Sequence, residues 1–354
     1  MRFIFAFFFV GISSVFAQSS DHLTKIAFGS CGHQDHPLPI FNVIAQHRPD
    51  LFVFLGDNIY GDTRNMDVLR GKYEQLAAKP SYQKLKESIE IIATWDDHDY
   101  GENDAGAEYP LKKESKEVFL DFFDEPANSE RRKREGVYTS SYYENDGKVI
   151  QVILLDCRTF RGKLAPYTNE FEGDRRYFYK PYYGIHQNDN EPFLGEQQWA
   201  WLERELKKPA DLRIIGSGTQ FGIEYNSYEA WANFPHEQVR MLNLISSTKA
   251  NGVLFITGDV HYGEISELNV RGLYPIYDIT SSGLSSTWHF ATPNNARIEG
   301  PVMENHFGMI TVDWSKSDPT VAMEIWDIRN NRRVEHTILL SEISFDAPAY
   351  NGRD

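Results

Sequence analysis

Leu51-Phe52-Val53-Phe54-Leu55-Gly56-Asp57-Asn58-Ile59-Tyr60 carries the reading of the fold. Five apolar residues rich in Phe and Val, closed by a glycine, have the length and composition of a buried strand. The polar residues after the glycine then stand at the strand's carboxyl end. The same pattern recurs along the chain. Lys25-Ile26-Ala27-Phe28 leads into Gly29-Ser30-Cys31-Gly32-His33, residues 89–95 into Asp96-Asp97-His98-Asp99, and residues 149–155 into Asp156-Cys157-Arg158. Leu212-Arg213-Ile214-Ile215 leads into Gly216-Ser217-Gly218-Thr219-Gln220, and Val253-Leu254-Phe255-Ile256 into Thr257-Gly258-Asp259-Val260-His261. Helical spacing occupies residues 40–46, 69–78, 115–123, 195–206 and 235–247. Strands alternating with helices predict an α/β (α+β) chain whose site forms from loops at strand carboxyl ends. From Phe307 onward, three strand-like runs with turns at Ser317-Asp318-Pro319 and Asn330-Asn331 read as a β-meander, expected to widen a second sheet.

The first residues bear on the compartment. Met1-Arg2 is a short positive start, residues 3–10 are apolar with five phenylalanines, and Val15-Phe16-Ala17 offers small or aliphatic residues where a signal peptidase reads. This layout predicts a signal peptide over 1–17 cut before Gln18, a single domain over 18–354, and a secreted or periplasmic protein. The apolar run is too short to span a bilayer, and no stable membrane anchor is expected. A formal net charge of −15 argues against a nucleic-acid polymer or an anionic membrane as partner, and a monomer is expected. Cys31 and Cys157 could pair in an exported chain, but each directly follows a strand and lies within a polar motif, which argues against a disulfide.

Several motifs carry chemistry. Asp57 and Tyr60 bring a carboxylate and a phenol to one strand end, a donor set suited to a hard trivalent metal; an ordinary Asp-Asn turn is the alternative. Asp96, Asp97 and Asp99 repel one another unless cations neutralise them, and Gly101-Glu102-Asn103-Asp104 adds oxygens suited to calcium. Asp259 and His261, two apart on extended backbone, would face one metal cluster together. Arg158 reads equally as a structural ion pair or as a fork for two phosphate oxygens. Cys31 reads as a thiolate ligand or a buried small apolar group. His289, Asn305 and His306 are candidates for lining a pocket, which the 167–192 insertion and Trp288-His289 would shape. The basic run Arg131-Arg132-Lys133-Arg134 is expected to be a solvated turn.

Taken in order, Ser30-Cys31, Gly56-Asp57-Asn58-Ile59-Tyr60, Trp95-Asp96-Asp97-His98-Asp99, Leu155-Asp156-Cys157-Arg158 and Gly258-Asp259-Val260-His261 resemble the alkaline phosphatase D (PhoD-like) family of metallophosphatases. The 195–202 helix start and Thr280-Ser281-Ser282-Gly283 also fit. The resemblance implies a four-layer αββα sandwich of two mixed β-sheets flanked by helices. It implies Fe(III) held by Cys31, Asp57, Tyr60, Asp259 and His261, with one or two Ca2+ sharing Asp57 and Asp97. By the same resemblance Arg158 would hold phosphate and His98 would be the proton donor; His289 and Asn305 are expected on the substrate side from the residues alone. Departures are Cys157, where the family usually has Thr, and 231–237, which only partly matches an aromatic-Pro-x-Glu pattern. The extra N-terminal β-domain of longer members is not expected.

The expected chemistry is in-line attack on phosphorus by water that the metals make nucleophilic, on a small phosphomonoester. A phosphodiesterase acting on nucleotides or phospholipid head groups is the alternative within that chemistry. An exported calcium-binding protein without turnover is the alternative outside it, opposed by Tyr60, His98, His261 and Arg158, which are not calcium ligands.

Overall fold

The computed structural model describes residues 24–168 and 182–346. The expected leader over 1–17 and residues 169–181 of the 167–192 insertion lie outside the described residues. The first half runs β1 (Lys25–Gly29), α1 (Ile40–His47), β2 (Leu51–Leu55), α2 (Met66–Ala77), α3 (Pro80–Ser88), β3 (Glu90–Thr94), α4 (Asp97–Tyr100), α5 (Lys112–Phe122), α6 (Glu130–Lys133), β4 (Thr139–Asn145) and β5 (Lys148–Leu154). The second runs α7 (Gly195–Leu206), β6 (Leu212–Ser217), α8 (Pro235–Thr248), β7 (Val253–Thr257), β8 (Gly263–Leu268), β9 (Ile276–Ser281), β10 (Arg297–Val302), β11 (His306–Asp313), β12 (Thr320–Asp327) and β13 (Arg332–Leu339).

Two mixed sheets result. One has six strands in the order β13-β12-β11-β1-β2-β3, the other seven in the order β10-β8-β9-β7-β6-β5-β4. Strands β1, β2 and β3 are parallel, as are β5, β6, β7 and β9. Their carboxyl ends, where the polar motifs begin, are therefore the ends that can build a shared rim.

The alternation in β2 shows how the layers form. Leu51, Val53 and Leu55 join a core shared with Ile150, Val152 and Leu154 of the other sheet. Phe52 and Phe54 point the other way, into a second core with Phe41 of α1, Leu69 and Tyr73 of α2, Tyr82 of α3 and Phe119 of α5. A strand buried on both faces must be apolar at every position, which is why β2 reads as an uninterrupted run. On the far side, Trp199, Leu202 and Leu206 of α7 and Met241 and Ile245 of α8 pack on the seven-stranded sheet. Helices thus cover both outer faces, giving the expected αββα layering.

Two expectations are corrected. The C-terminal meander does not widen the second sheet. It extends the first, because β11 pairs antiparallel with β1 (Lys25 opposite Thr311) and closes the edge that β1 would otherwise expose. The basic run is not a solvated turn either. It forms α6, and Arg131 is buried with its guanidinium donating to the carbonyls of Ala93 (2.6 Å) and Val137 and pairing with Glu125 (3.3 Å). Burial alone would penalise that charge; the carbonyls and the carboxylate offset it.

Candidate metal and phosphate site

Gly56 sets the geometry. Its φ of +99° is open to glycine without strain, and a side chain there would meet the Asp96 backbone nitrogen at 2.5 Å. The turn therefore lets the β2 and β3 loops touch. Gly218, after β6, comes as close to Asp96 from the other sheet, with a Cβ position 2.6 Å from Asp96 Oδ1. Backbone bonds complete the convergence: Gly32 N donates to Asp57 O (2.9 Å), Gly258 N to Gly218 O (3.1 Å) and Ser30 N to Ser281 O (3.1 Å).

Cys31, Asp57, Asp259 and His261 all adopt left-handed backbone, with φ of +59°, +49°, +76° and +59°. Such conformations cost non-glycine residues free energy and gather where function needs a particular side-chain direction. For Asp259 and His261 this corrects the expectation of extended backbone: the two share a cluster region because the chain turns sharply after β7, not because of strand alternation.

The candidate residues come together in three overlapping groups whose ligand atoms lie within 4.8 Å of one another: Cys31, Asp57 and His261; Asp57, Asp97 and His98; and Asp96, Asp97 and Asp259. Asp57 and Asp97 each belong to two of them. Cys31 Sγ lies 3.3 Å from Asp57 Oδ2, 3.7 Å from the Asp259 carbonyl and 3.2 Å from Ser282 Oγ. His261 Nδ1 lies 2.9 Å from the Ser286 carbonyl and must donate to it, which leaves Nε2 deprotonated and available as a ligand. Ser282 Oγ also accepts from His261 N (2.8 Å), and Trp288 stacks on the His261 ring at 5.0 Å.

The donor set fits cations. Asp57 Oδ1, Tyr60 Oη, Asp96 Oδ2 and Asp97 Oδ1 are buried without a hydrogen-bond partner, an expensive condition that bound cations would relieve. Burial and the neighbouring carboxylates Asp97 and Asp96 push Asp57 well up, against the pull of His98, and burial with the Asp96, Glu229 and Asp97 charges does the same to Asp259. Burial first, then Asp57, raises the Cys31 thiol; burial, Cys31 and Asp57 raise the Tyr60 phenol. Without cations the cluster retains protons on groups that would ligate as anions. Asp97 is the exception: burial opposes its ionisation, but Arg158 and His98 hold it down at about 2.

Not every acidic residue joins. Asp99 accepts from the backbone nitrogens of Asp96 (2.7 Å) and Asp57 (3.2 Å), from Asn58 Nδ2 (2.6 Å) and from Tyr73 Oη (3.2 Å), so it braces the two loops. Glu102 turns outward to Arg64. Asp104 donates its backbone nitrogen to Asp97 Oδ2 (2.7 Å) and accepts from Tyr183 Oη (2.6 Å), placing the described end of the long insertion beside the cluster. Cys31 and Cys157 are free thiols; Cys157 contacts Ser217 Oγ at 3.3 Å, and burial pushes its thiol to about 12.

Arg158 shows the ion pair of its two readings. Its side chain is 0 % exposed, with Nε donating to Asp96 Oδ1 (2.6 Å), Nη1 to Glu229 (2.7 Å) and Nη2 3.9 Å from Asp97. Glu229 also pairs with Arg161 at 3.0 Å. His98 projects from α4 with Nδ1 2.7 Å from Asp62. His289 is exposed against Phe290 and Asn305 pairs through its carbonyl with Ile328; neither is brought to the cluster by a described contact. His306 is buried behind Ser282, accepting from its backbone nitrogen at 3.2 Å, and burial lowers it to about 4, so it is a neutral packing group. Sequence reasoning missed Glu229, Asp62 and Ser286.

The PhoD-like phosphatase family model matches residues 26–311. The chain belongs to the PhoD-like phosphatase family. Alkaline phosphatase D of Bacillus subtilis (strain 168) is 26% identical over 286 residues, covering 69% of this chain and 47% of that protein. This PhoD-like chain thus spans about half the length of the curated relative it matches. Among solved structures it is similar in fold to PhoD (TM-score 0.61, 18% identity, 89% of this chain and 72% of the other). It is also similar to a dimetal phosphatase from Danio rerio (TM-score 0.55, 15% identity, 90% and 99%). A third likeness is to GAP50, the anchor in the inner membrane complex of Plasmodium (TM-score 0.56, 12% identity, 89% and 88%). Among the described residues no helix is long and apolar enough to cross a membrane.

Proposed function

We propose that this PhoD-like chain is an exported, metal-dependent phosphoester hydrolase that acts on phosphomonoesters. The observation that carries the reading is the set of buried, unpartnered oxygens of Asp57, Asp96 and Asp97 within the donor groups, with that of Tyr60 near Cys31 and Asp57. Cys31, Asp57, Tyr60, Asp259 and His261 would hold Fe(III), matching the thiolate, phenolate, carboxylate and imidazole donors such an ion accepts. Asp57 and Asp97 would hold Ca2+, an oxygen-seeking ion. Bound cations would lower the pKa of water and screen phosphoryl charge.

The chain's own residues supply the rest. His98, outside both ligand sets and hydrogen-bonded to Asp62, can hand a proton to the leaving alkoxide. Arg158 pairs with Asp96 and Glu229 and sets a fixed positive charge 3.9 Å from Asp97, from which it would stabilise charge growing on the phosphoryl oxygens. The N-terminal layout over 1–17 supports export. A non-catalytic calcium protein would have no use for Cys31 and His261 in one donor group.

Purified protein supplied with iron and calcium is expected to hydrolyse p-nitrophenyl phosphate, and Asp57→Asn to lose that turnover. Preference for bis-(p-nitrophenyl) phosphate would replace the monoesterase reading with the diesterase one. Absence of turnover on either ester, with both metals bound, would overturn the enzymatic reading.

A further inference from the structure

Tyr60 is held in two different ways. Its backbone is fixed by hydrogen bonds, with N donating to Gln34 Oε1 (2.8 Å) and O accepting from Lys72 Nζ (2.6 Å). Neither bond restrains the ring, which turns about two side-chain torsions, and Oη has Ser286 and Cys31 as polar neighbours without a well-formed hydrogen bond to either. Contact with two imidazoles orients the ring as well. His33 lies nearly parallel to it, with centroids 4.6 Å apart and planes 16° apart, and His98 lies against it at 4.2 Å and 35°.

His33 is itself prepared for this role. Its backbone nitrogen donates to Ser285 Oγ (2.8 Å), and its ring stacks on His36 at 4.8 Å and 24°. His36 in turn reaches the Ser285 carbonyl through Nδ1 at 3.2 Å. The stack His36, His33, Tyr60 is thus anchored at its outer end to the loop after β9, and Gln34 of the same β1 loop anchors the Tyr60 backbone. His33 belongs to none of the three donor groups, so a ligand role does not explain its placement.

We infer that His33 is a positioning residue for Tyr60: by stacking on the phenol it fixes the direction in which Oη enters the Cys31, Asp57 and His261 group. This rests on the reading of Tyr60 as a ligand of iron. Parallel aromatic contact needs a flat ring at position 33, not an imidazole, so phenylalanine should serve and alanine should not.

The test is the phenolate-to-Fe(III) absorption band of the full-length protein loaded with iron, read in the parent and in His33→Ala, His33→Phe and Tyr60→Phe. The inference expects His33→Ala to shift and weaken the band and to lower Fe(III) affinity by roughly two- to tenfold, with His33→Phe restoring both. In metal-free protein labelled with 13C-tyrosine, the Tyr60 ring signal, identified by its loss in Tyr60→Phe, should move in His33→Ala while the thermal midpoint holds. An unchanged band and ring signal in His33→Ala would overturn the inference. So would equal loss in His33→Phe, which would make the imidazole itself a ligand. A parent without a band, or a band surviving in Tyr60→Phe, would remove Tyr60 from the ligand set and take the inference with it.

Discussion

The Glu229 carboxylate lies 2.7 Å from Nη1 of Arg158, and both side chains are closed to solvent. The same carboxylate also pairs with Arg161. It therefore neutralises two buried guanidinium groups at once. Removing one partner from a buried pair leaves uncompensated charge, which costs about 3–5 kcal/mol. Glu229→Gln is expected to lower the unfolding free energy by about that amount in chemical denaturation. Phosphoester turnover should fall with it, since Arg158 then loses half of its hold beside Asp96.

His98 gives a pH signature to the metal-free protein. Burial pulls its pKa down, but Asp57 and Asp97, with the Asp62 hydrogen bond, raise it from 6.5 to about 11. A raised folded-state value means that the stability owed to charged His98 is complete below pH 6.5 and is lost as pH climbs toward about 11. Asp62→Asn should bring that loss to lower pH. Urea unfolding at a series of pH values between those limits would show it, and identical curves for parent and variant would count against the Asp62 contribution.

Metal uptake should release protons. The Cys31 thiol, the Tyr60 phenol and the Asp57 carboxyl are all pushed up by burial and by neighbouring anions. Each must lose its proton to ligate as an anion. Iron affinity is therefore expected to rise with pH, and calorimetry in buffers of different ionisation enthalpy should report at least one proton released per iron. Excess metal should also raise the thermal midpoint, since at a hundred times Kd binding adds about 2.7 kcal/mol.

Two glycines make a matched pair. A Cβ at Gly71, inside α2, would meet nothing within 4 Å, so Gly71→Ala should stabilise the protein by about 1 kcal/mol through helix propensity alone. At Gly56 a Cβ would sit 2.4 Å from Asp96 Cβ with φ at +99°, so Gly56→Ala should disrupt the β2 and β3 loops. Thermal melts of the two variants, moving in opposite directions, would check both.

The parts of the fold that could be read from sequence are those whose burial is uniform. β2 is apolar throughout because both its faces are covered, and α7 spans the anticipated 195–206 because Trp199, Leu202 and Leu206 mark one face. β8 and β9 escaped because Glu264, Ser266 and Asp278 are buried polar residues within them. Glu264 is matched by Arg297, and Asp278 by the backbone nitrogens of Phe221 and Gly222. α3 was hidden because only Ala78 and Lys79 separate it from α2.

For the site, the strand-end pattern pointed to Asp57, Asp97, Asp259 and His261, since those lie next to an apolar run. Glu229 had no such local mark: its partner Arg158 is 71 residues away in sequence. The left-handed backbone at Cys31, Asp57, Asp259 and His261 was also beyond reach, because residue type there gives no cue comparable to glycine. For His289 and Asn305 the sequence offers residue type alone, with no strand-end motif to place them; His289 is exposed beside Phe290 and Asn305 bonds to Ile328 through its carbonyl.

The pairing of β1 with β11 also orders events in time. Lys25 opposite Thr311 joins the start of the described chain to a strand near its end. On a ribosome the first sheet stays open along β1 until most of the polypeptide has been made. Closing so wide a loop carries an entropic cost before any contact rewards it, so folding should be slow and late. During that interval β1, with its apolar Ile26, Ala27 and Phe28, leaves an edge open to foreign strands.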